Sequence, residues 1–260
     1  MPEYSPHEER LTHAYWEHVG GTLYEELKVH GRRIDGVILP DGPRKRIGWV
    51  DIREVNMDGQ PVIVVQTKAG RPTLSLLGQA LLSPDLIATH WPRAHMTTVA
   101  LCGRDDDVLR PLAEVRGIHV EIIGMDDVRS SGGSAGYSKD LLARYWQTTG
   151  GTLLERVELM AKSPTHDRQR ARGIIVLGRE HERLHGGKLS PEAVDGADII
   201  VVYAGRTDGG MYGLGEALFT ADLLRHHYTV ASVRPVVACE HSDPILRPLA
   251  ERRGIEINVL

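Results

Sequence analysis

The feature that most limits what this chain can become is that it repeats itself. Tyr15-Trp16 and Gly20-Gly21-Thr22-Leu23 recur as Tyr145-Trp146 and Gly150-Gly151-Thr152-Leu153, 130 residues later. Further on, Leu109-Arg110-Pro111-Leu112-Ala113-Glu114 and Arg116-Gly117-Ile118 recur as Leu246-Arg247-Pro248-Leu249-Ala250-Glu251 and Arg253-Gly254-Ile255, now 137 residues later. The second copy therefore carries seven extra residues, and the Ser-Pro-Thr-His-Asp run between Met160 and Gln169 has the loop composition to hold them. A period this long means a duplicated domain and not a solenoid.

The expected division is a first domain over 1–128, a Ser/Gly-rich linker over 129–138 containing Ser130-Ser131-Gly132-Gly133, and a second domain over 139–260. A chain of 260 residues can bury two modest cores. The two α/β domains, each a central mixed sheet flanked by helices, are expected to pack as a pseudo-dimer. A further homodimer that brings two such chains together is also compatible with the sequence.

Composition excludes some classes. A formal charge of −4 does not suit a protein coated for nonspecific nucleic-acid binding, so any contact with phosphate must be local. No apolar run approaches the length of a membrane span, and the Met-Pro-Glu-Tyr-Ser start is polar, so no membrane association and a cytoplasmic location are expected. Cys102 and Cys239 are too few for a disulfide framework or a zinc site, and each ends an apolar strand. His181 and His185 have the i, i+4 spacing of a metal pair, but no third ligand stands at a recognisable spacing.

Chemistry concentrates at Pro61 to Gly70. Val62 to Val65 are apolar and mostly β-branched, as in a buried strand, and the run ends in Gln66-Thr67-Lys68. Alternation along a strand puts Gln66 and Lys68 on one face and Thr67 on the other. Arg32 to Leu39 is a second strand, with Asp35 as its one carboxylate. If the two strands are neighbours, Asp35, Gln66 and Lys68 converge. Asp51, in an alternating stretch from Ile47 to Val55, is the rival acid.

This order, an Asp and then Gln-x-Lys at the end of an apolar strand, resembles the PD-(D/E)xK nuclease superfamily in the Gln-x-Lys variant of the Mrr-like restriction endonucleases. The resemblance covers roughly residues 10 to 125. It implies a restriction-endonuclease-like fold, a divalent metal (Mg²⁺ or Mn²⁺) held by Asp35, Gln66 and the main-chain carbonyl near Thr67, and Lys68 beside the attacked phosphate. It also implies supporting roles for a helix Glu, assigned to Glu25, and for Gln79. The implied activity is metal-dependent phosphodiester hydrolysis, with DNA a more natural substrate than RNA.

The repeat adds a comparison. Arg172 stands opposite Asp35, Tyr203 opposite Gln66, Gly205 opposite Lys68 and Glu216 opposite Gln79, so the second copy keeps the scaffold and loses the site. One live site and one degenerate partner is the expectation. The alternative is a repurposed, non-catalytic nuclease-fold protein that binds a partner or a small molecule. Locally, Leu11, Tyr15 and Val19 predict a helix over 7–19. Thr22-Leu23-Tyr24-Glu25 reads as the capping box of a second helix, Asn56 to Gly59 as a hairpin turn, and Thr73 to Leu82 as a helix with Ser83-Pro84 opening another.

Overall fold

The structure, a computed structural model, describes residues 5–124, 137–205 and 210–260. It divides into two compact units, Met1–Ser131 and Gly132–Leu260, the boundary falling within the sequence-predicted linker, most of which lies outside the described residues.

The first unit opens with α1 (Pro6–Val19), followed by β1 (Thr22–Val29), β2 (Arg32–Leu39), β3 (Lys45–Gly48) and β4 (Pro61–Lys68). Then come α2 (Leu74–Ala88), β5 (His95–Cys102), α3 (Leu109–Val115) and β6 (Ile118–Ile122). Its mixed sheet has the order β3-β1-β2-β4-β5-β6. β1, β2 and β4 are antiparallel neighbours, while β4, β5 and β6 run parallel. Leu11 and Trp16 of α1 pack on one sheet face with Leu23, Ile38, Val65, Val99 and Leu101.

The second unit repeats this plan: α4 (Lys139–Thr149), β7 (Thr152–Met160), β8 (Gln169–Val176), β9 (Arg183–His185), β10 (Asp198–Gly205), α5 (Gly210–His227), β11 (Ser232–Cys239), α6 (Leu246–Arg252) and β12 (Glu256–Val259). Its order, β12-β11-β10-β8-β7-β9, is the first sheet read from the other edge. The registers agree as well. Glu25 faces Gly36 and Glu155 faces Gly173, so the offset changes from 130 to 137 between β7 and β8. The extra residues are the longer connection there, where the sequence places them. No helix among the described residues is long and apolar enough to cross a membrane.

The repeated Tyr-Trp and Gly-Gly motifs have a physical basis. Trp16 Nε1 donates to Gly21 O at 3.0 Å, and Trp146 Nε1 donates to Gly151 O at 2.8 Å, which ties each leading helix to the turn that follows it. Gly21 sits at φ +75°, and a Cβ there would lie 2.2 Å from the Leu39 carbonyl oxygen. Only glycine fits that crossing.

Several sequence expectations are corrected. Thr22 to Glu25 do not begin a helix but open β1, which pairs with β2 from Thr22 to Val29. The Leu23 and Leu27 spacing of four is even, so it satisfies the strand period of two as well as the helical period. The Ile47–Val55 strand is broken: β3 stops at Gly48, Trp49 adopts φ +51°, and Ile52–Glu54 form a 3₁₀ turn whose Asp51 cap accepts from Arg53 N. β3 pairs with β1 and not with β4, so the turn at Asp58-Gly59 leads into β4 without making a hairpin. Finally, α2 runs straight through Pro84. Outside these corrections, His181 is exposed to solvent and also stacks on Trp146 with ring centroids 4.2 Å apart.

Candidate active site

β2 and β4 are adjacent, and their register brings the predicted residues together. Gly36 faces Val65 in the antiparallel ladder, so the next pair along is Asp35 and Gln66. On the other side of β2, Ile34 faces Leu27 and Gly36 faces Glu25, so Asp35 stands opposite Glu26. Glu26, Asp35 and Gln66 thus form a row across three strands. The β1–β2 ladder pairs residues on either side of this row but not within it, and the β2–β4 ladder ends at Gly36 and Val65, just short of it.

Two local features accompany it in the first unit. Glu26 adopts φ +53°, a left-handed conformation uncommon for a side chain of its size. Thr67 N–H, one residue past the row, donates to Asp35 Oδ2 at 2.8 Å in place of a β2 carbonyl. In a strand the N–H and C=O of one residue point the same way. The Thr67 carbonyl therefore turns toward β2 as well, beyond the last ladder pair.

Gln66 is fully buried. Its Nε2 donates to Ser83 Oγ at 2.8 Å, and Ser83 Oγ passes its own proton to Gln79 O at 2.7 Å. That chain fixes the amide orientation, because the Ser83 hydroxyl proton is already committed and its lone pair must take an N–H. Gln66 Oε1 is left buried with no hydrogen-bond partner. An orphaned amide oxygen costs about 1–3 kcal/mol, so its retention needs a reason.

Lys68 Nζ lies 3.0 Å from Glu8 Oε1, on the first turn of α1. Asp35 sits in the resulting field. Burial pushes its carboxyl up to about 7, opposed by the Thr67 N–H; Glu26 and Glu8 add to the rise and Lys68 reduces it. Glu26 is itself buried and raised for the same reason, with Arg33 pulling it back at 3.4 Å. Thr67 Oγ1, on the opposite sheet face, meets Thr12 Oγ1 of α1 at 2.9 Å.

The other predicted residues fall differently. Glu25 is on strand β1 and faces α1, away from Gln66 and α2, where His13 and Arg46 occupy its two carboxylate oxygens. Glu9, His13 and Glu25 do bring ligand atoms within 4.8 Å of one another, but the Arg46 guanidinium 3.4 Å away already neutralises Glu25. The second unit keeps the same arrangement in Arg183 and Glu155, 2.6 Å apart, which marks it as a structural tie of the edge strand. Gln79 is half-buried on α2, one turn before Ser83. Its counterpart Glu216 binds Arg172, the counterpart of Asp35, at 2.6 Å, so the position looks onto the row. Asp51 is bound to Arg53 at the far end of β1 and takes no part.

Sequence reasoning missed Glu8 and Glu26. A signal was present: Ser138 stands opposite Glu8 and Arg156 opposite Glu26, so both acids vanish from the second copy with Asp35, Gln66 and Lys68, whereas Glu25 persists as Glu155.

The donors around the row are oxygens: the Asp35 carboxylate, the orphaned Gln66 Oε1 and the Thr67 carbonyl. A hard divalent cation such as Mg²⁺ prefers this chemistry, and a partnerless buried amide oxygen on the residue opposed to a carboxylate fits it. The chain, compared with known protein families, with curated proteins and with solved structures, matches none of them.

Proposed function

We propose that the first unit is a metal-dependent phosphodiesterase of the PD-(D/E)xK type, most naturally a DNA endonuclease, and that each unit has a restriction-endonuclease-like core. The observation that carries this reading is that Asp35, pinned by Thr67 N–H, and Gln66, whose Oε1 is orphaned, occupy opposed positions on neighbouring strands. The succession α1-β1-β2-β3-β4-α2-β5 supports it, since the Asp and Gln-x-Lys that carry the resemblance fall on the adjacent strands β2 and β4 between two helices.

Asp35, Gln66 and the Thr67 carbonyl would hold Mg²⁺ or Mn²⁺. When bound, that ion polarises the scissile phosphate and lowers the pKa of water. The protein's own residues do the rest. Thr67 N–H fixes the Asp35 carboxylate, and Ser83 fixes the Gln66 amide through its Nε2, which leaves its oxygen without a protein donor. Lys68 is held by Glu8 in the free protein and exchanges that carboxylate for a phosphate oxygen, where its charge stabilises the pentacoordinate transition state. Glu8, released by that exchange, accepts the proton of the attacking water. One P–O bond forms to the water oxygen, the bond to the leaving oxygen breaks, and the leaving oxygen is protonated from solvent.

The second reading, a nuclease-fold protein that binds without cutting, is favoured by the close hold of Glu8 on Lys68. One experiment separates them. Purified protein and Asp35→Asn are incubated with plasmid, single-stranded DNA and RNA in Mg²⁺, Mn²⁺ or EDTA. Metal-dependent cutting that disappears in Asp35→Asn is expected. No cutting by a demonstrably folded protein would leave only the binding reading.

A further inference from the structure

In the second unit a cavity of about 470 Å³ is lined by Tyr137, Lys139, Arg156, Arg170, Arg172 and Glu216. A second one, about 370 Å³, shares Arg156 and Arg170 and adds His185 and Glu158, whose carboxylate is paired with Arg168 at 2.9 Å. Both volumes fall within the roughly 300–1,000 Å³ of small-ligand sites. Across the repeat, Lys139, Arg156, Arg170 and Arg172 stand where the first unit has Glu9, Glu26, Arg33 and Asp35. Three carboxylates and one guanidinium have become four cations. The positions that would attract a metal ion in one copy repel it in the other.

The cations are poorly compensated. Arg156 and Arg172 occupy directly opposed positions on β7 and β8, an arrangement that destabilises a sheet when the charges are alike. Arg172 is balanced by Glu216 at 2.6 Å and lies over the rings of Tyr137 and Tyr203. Arg156 and Arg170 are exposed and have no ion-pair partner among the described residues. Arg156 also holds φ +55°, the same left-handed conformation as Glu26. Lys139 is the first residue of α4, the end of a helix that favours negative charge. A cation at a positive helix end, beside two unpaired guanidinium groups and an aromatic wall, is stabilised by an anion placed among them.

We infer that this pocket is a phosphate-binding site, taking a phosphate ester either from a nucleic-acid strand or from a free nucleotide. Guanidinium groups suit phosphate oxygens through paired N–H donors. The inference stands apart from catalysis in the first unit, since it requires neither a metal nor cleavage.

The test uses the full chain in EDTA, with binding of a fluorescein-labelled single-stranded oligonucleotide read by anisotropy and the thermal response to AMP and to inorganic phosphate measured in parallel. Arg156→Glu/Arg170→Glu alters only exposed side chains, and Lys162→Glu/Arg252→Glu is the charge-matched control on the same unit. If the ligand is a strand, oligonucleotide affinity falls at least about tenfold in the first variant and its salt slope drops by about two, with the control close to wild type. If the ligand is a nucleotide, AMP raises the melting temperature of wild type and control but not of Arg156→Glu/Arg170→Glu. Binding that survives in this variant, that falls equally in both, or that is undetectable with all three probes would overturn the inference.

Discussion

At the scale of single residues the candidate site depends on Asp35. Its carboxyl is raised to about 7 from a usual value of 3.8. Between those values the folded protein binds more protons at this group than the unfolded chain does, so the metal-free protein loses stability as pH rises through that window. Asp35→Asn removes the partly buried charge, and it should raise the melting temperature of the metal-free protein at pH 8, by the equivalent of about 1–3 kcal/mol, with little effect at pH 4. A melting curve in EDTA at both pH values checks this, and an equal shift at both would point to packing instead of charge. Metal uptake should strengthen over the same window, because the ion competes with that proton. Lys68→Ala should lower cleavage by about 10²–10³-fold while leaving the far-UV spectrum unchanged, and Tyr203→Phe, at the position that replaces Gln66, should leave cleavage as it was. Loss in both would contradict a single live site. Asp35, Gln66 and Lys68 were legible in the sequence because two strand periods and one adjacency suffice to bring them together. Glu8 and Glu26 were not singled out, because a Glu in a first helical turn and a Glu in a strand each have an ordinary explanation until contacts are known.

At the scale of elements, the gap in the β1–β2 ladder and the end of the β2–β4 ladder at the row Glu26, Asp35 and Gln66 leave the Thr67 N–H to bond the Asp35 side chain in place of main-chain pairing. The second unit fills the same row with other side chains. Tyr203 takes the place of Gln66, and Gly213 on α5 takes the place of Leu76. A Cβ at Gly213 would sit 2.4 Å from the Tyr203 ring, so the larger side chain on the strand is accommodated by the smallest on the helix. Gly213→Ala should therefore destabilise the protein by about 1–3 kcal/mol, although alanine favours a helix; a rise in stability by denaturant titration would refute this account. α2 shows why element boundaries were harder to read than element existence. Pro84 removes one N–H from the helix, yet Leu86 and Ile87 beyond it are buried, and burial of that turn outweighs the missing bond. The strand β1 was hidden for a different reason, since apolar residues four apart agree with either period.

At the scale of the whole molecule, duplication has separated two charge environments on one scaffold. Up to Ser131 the chain has 15 basic and 19 acidic residues, and from Gly132 it has 16 of each, so the entire formal charge of −4 resides in the first unit. One divalent ion per chain is the expected stoichiometry by calorimetry, with none bound in Asp35→Asn. An ion retained there would assign it to Glu9, His13 and Glu25 and displace the proposed site. The duplication, its offset, the position of the insertion and the absence of the Asp, Gln and Lys counterparts from the second copy were determined by the sequence by itself, because comparison between copies needs no knowledge of contacts. Which strand borders which, that Glu25 faces α1 while Glu26 stands opposite Asp35, that Gln66 keeps a partnerless oxygen, and that four cations surround one cavity were decided only by the tertiary structure. Those facts depend on residues far apart in the chain being brought to one edge of a sheet, and register between strands is set by the packing of whole faces, which no local pattern encodes.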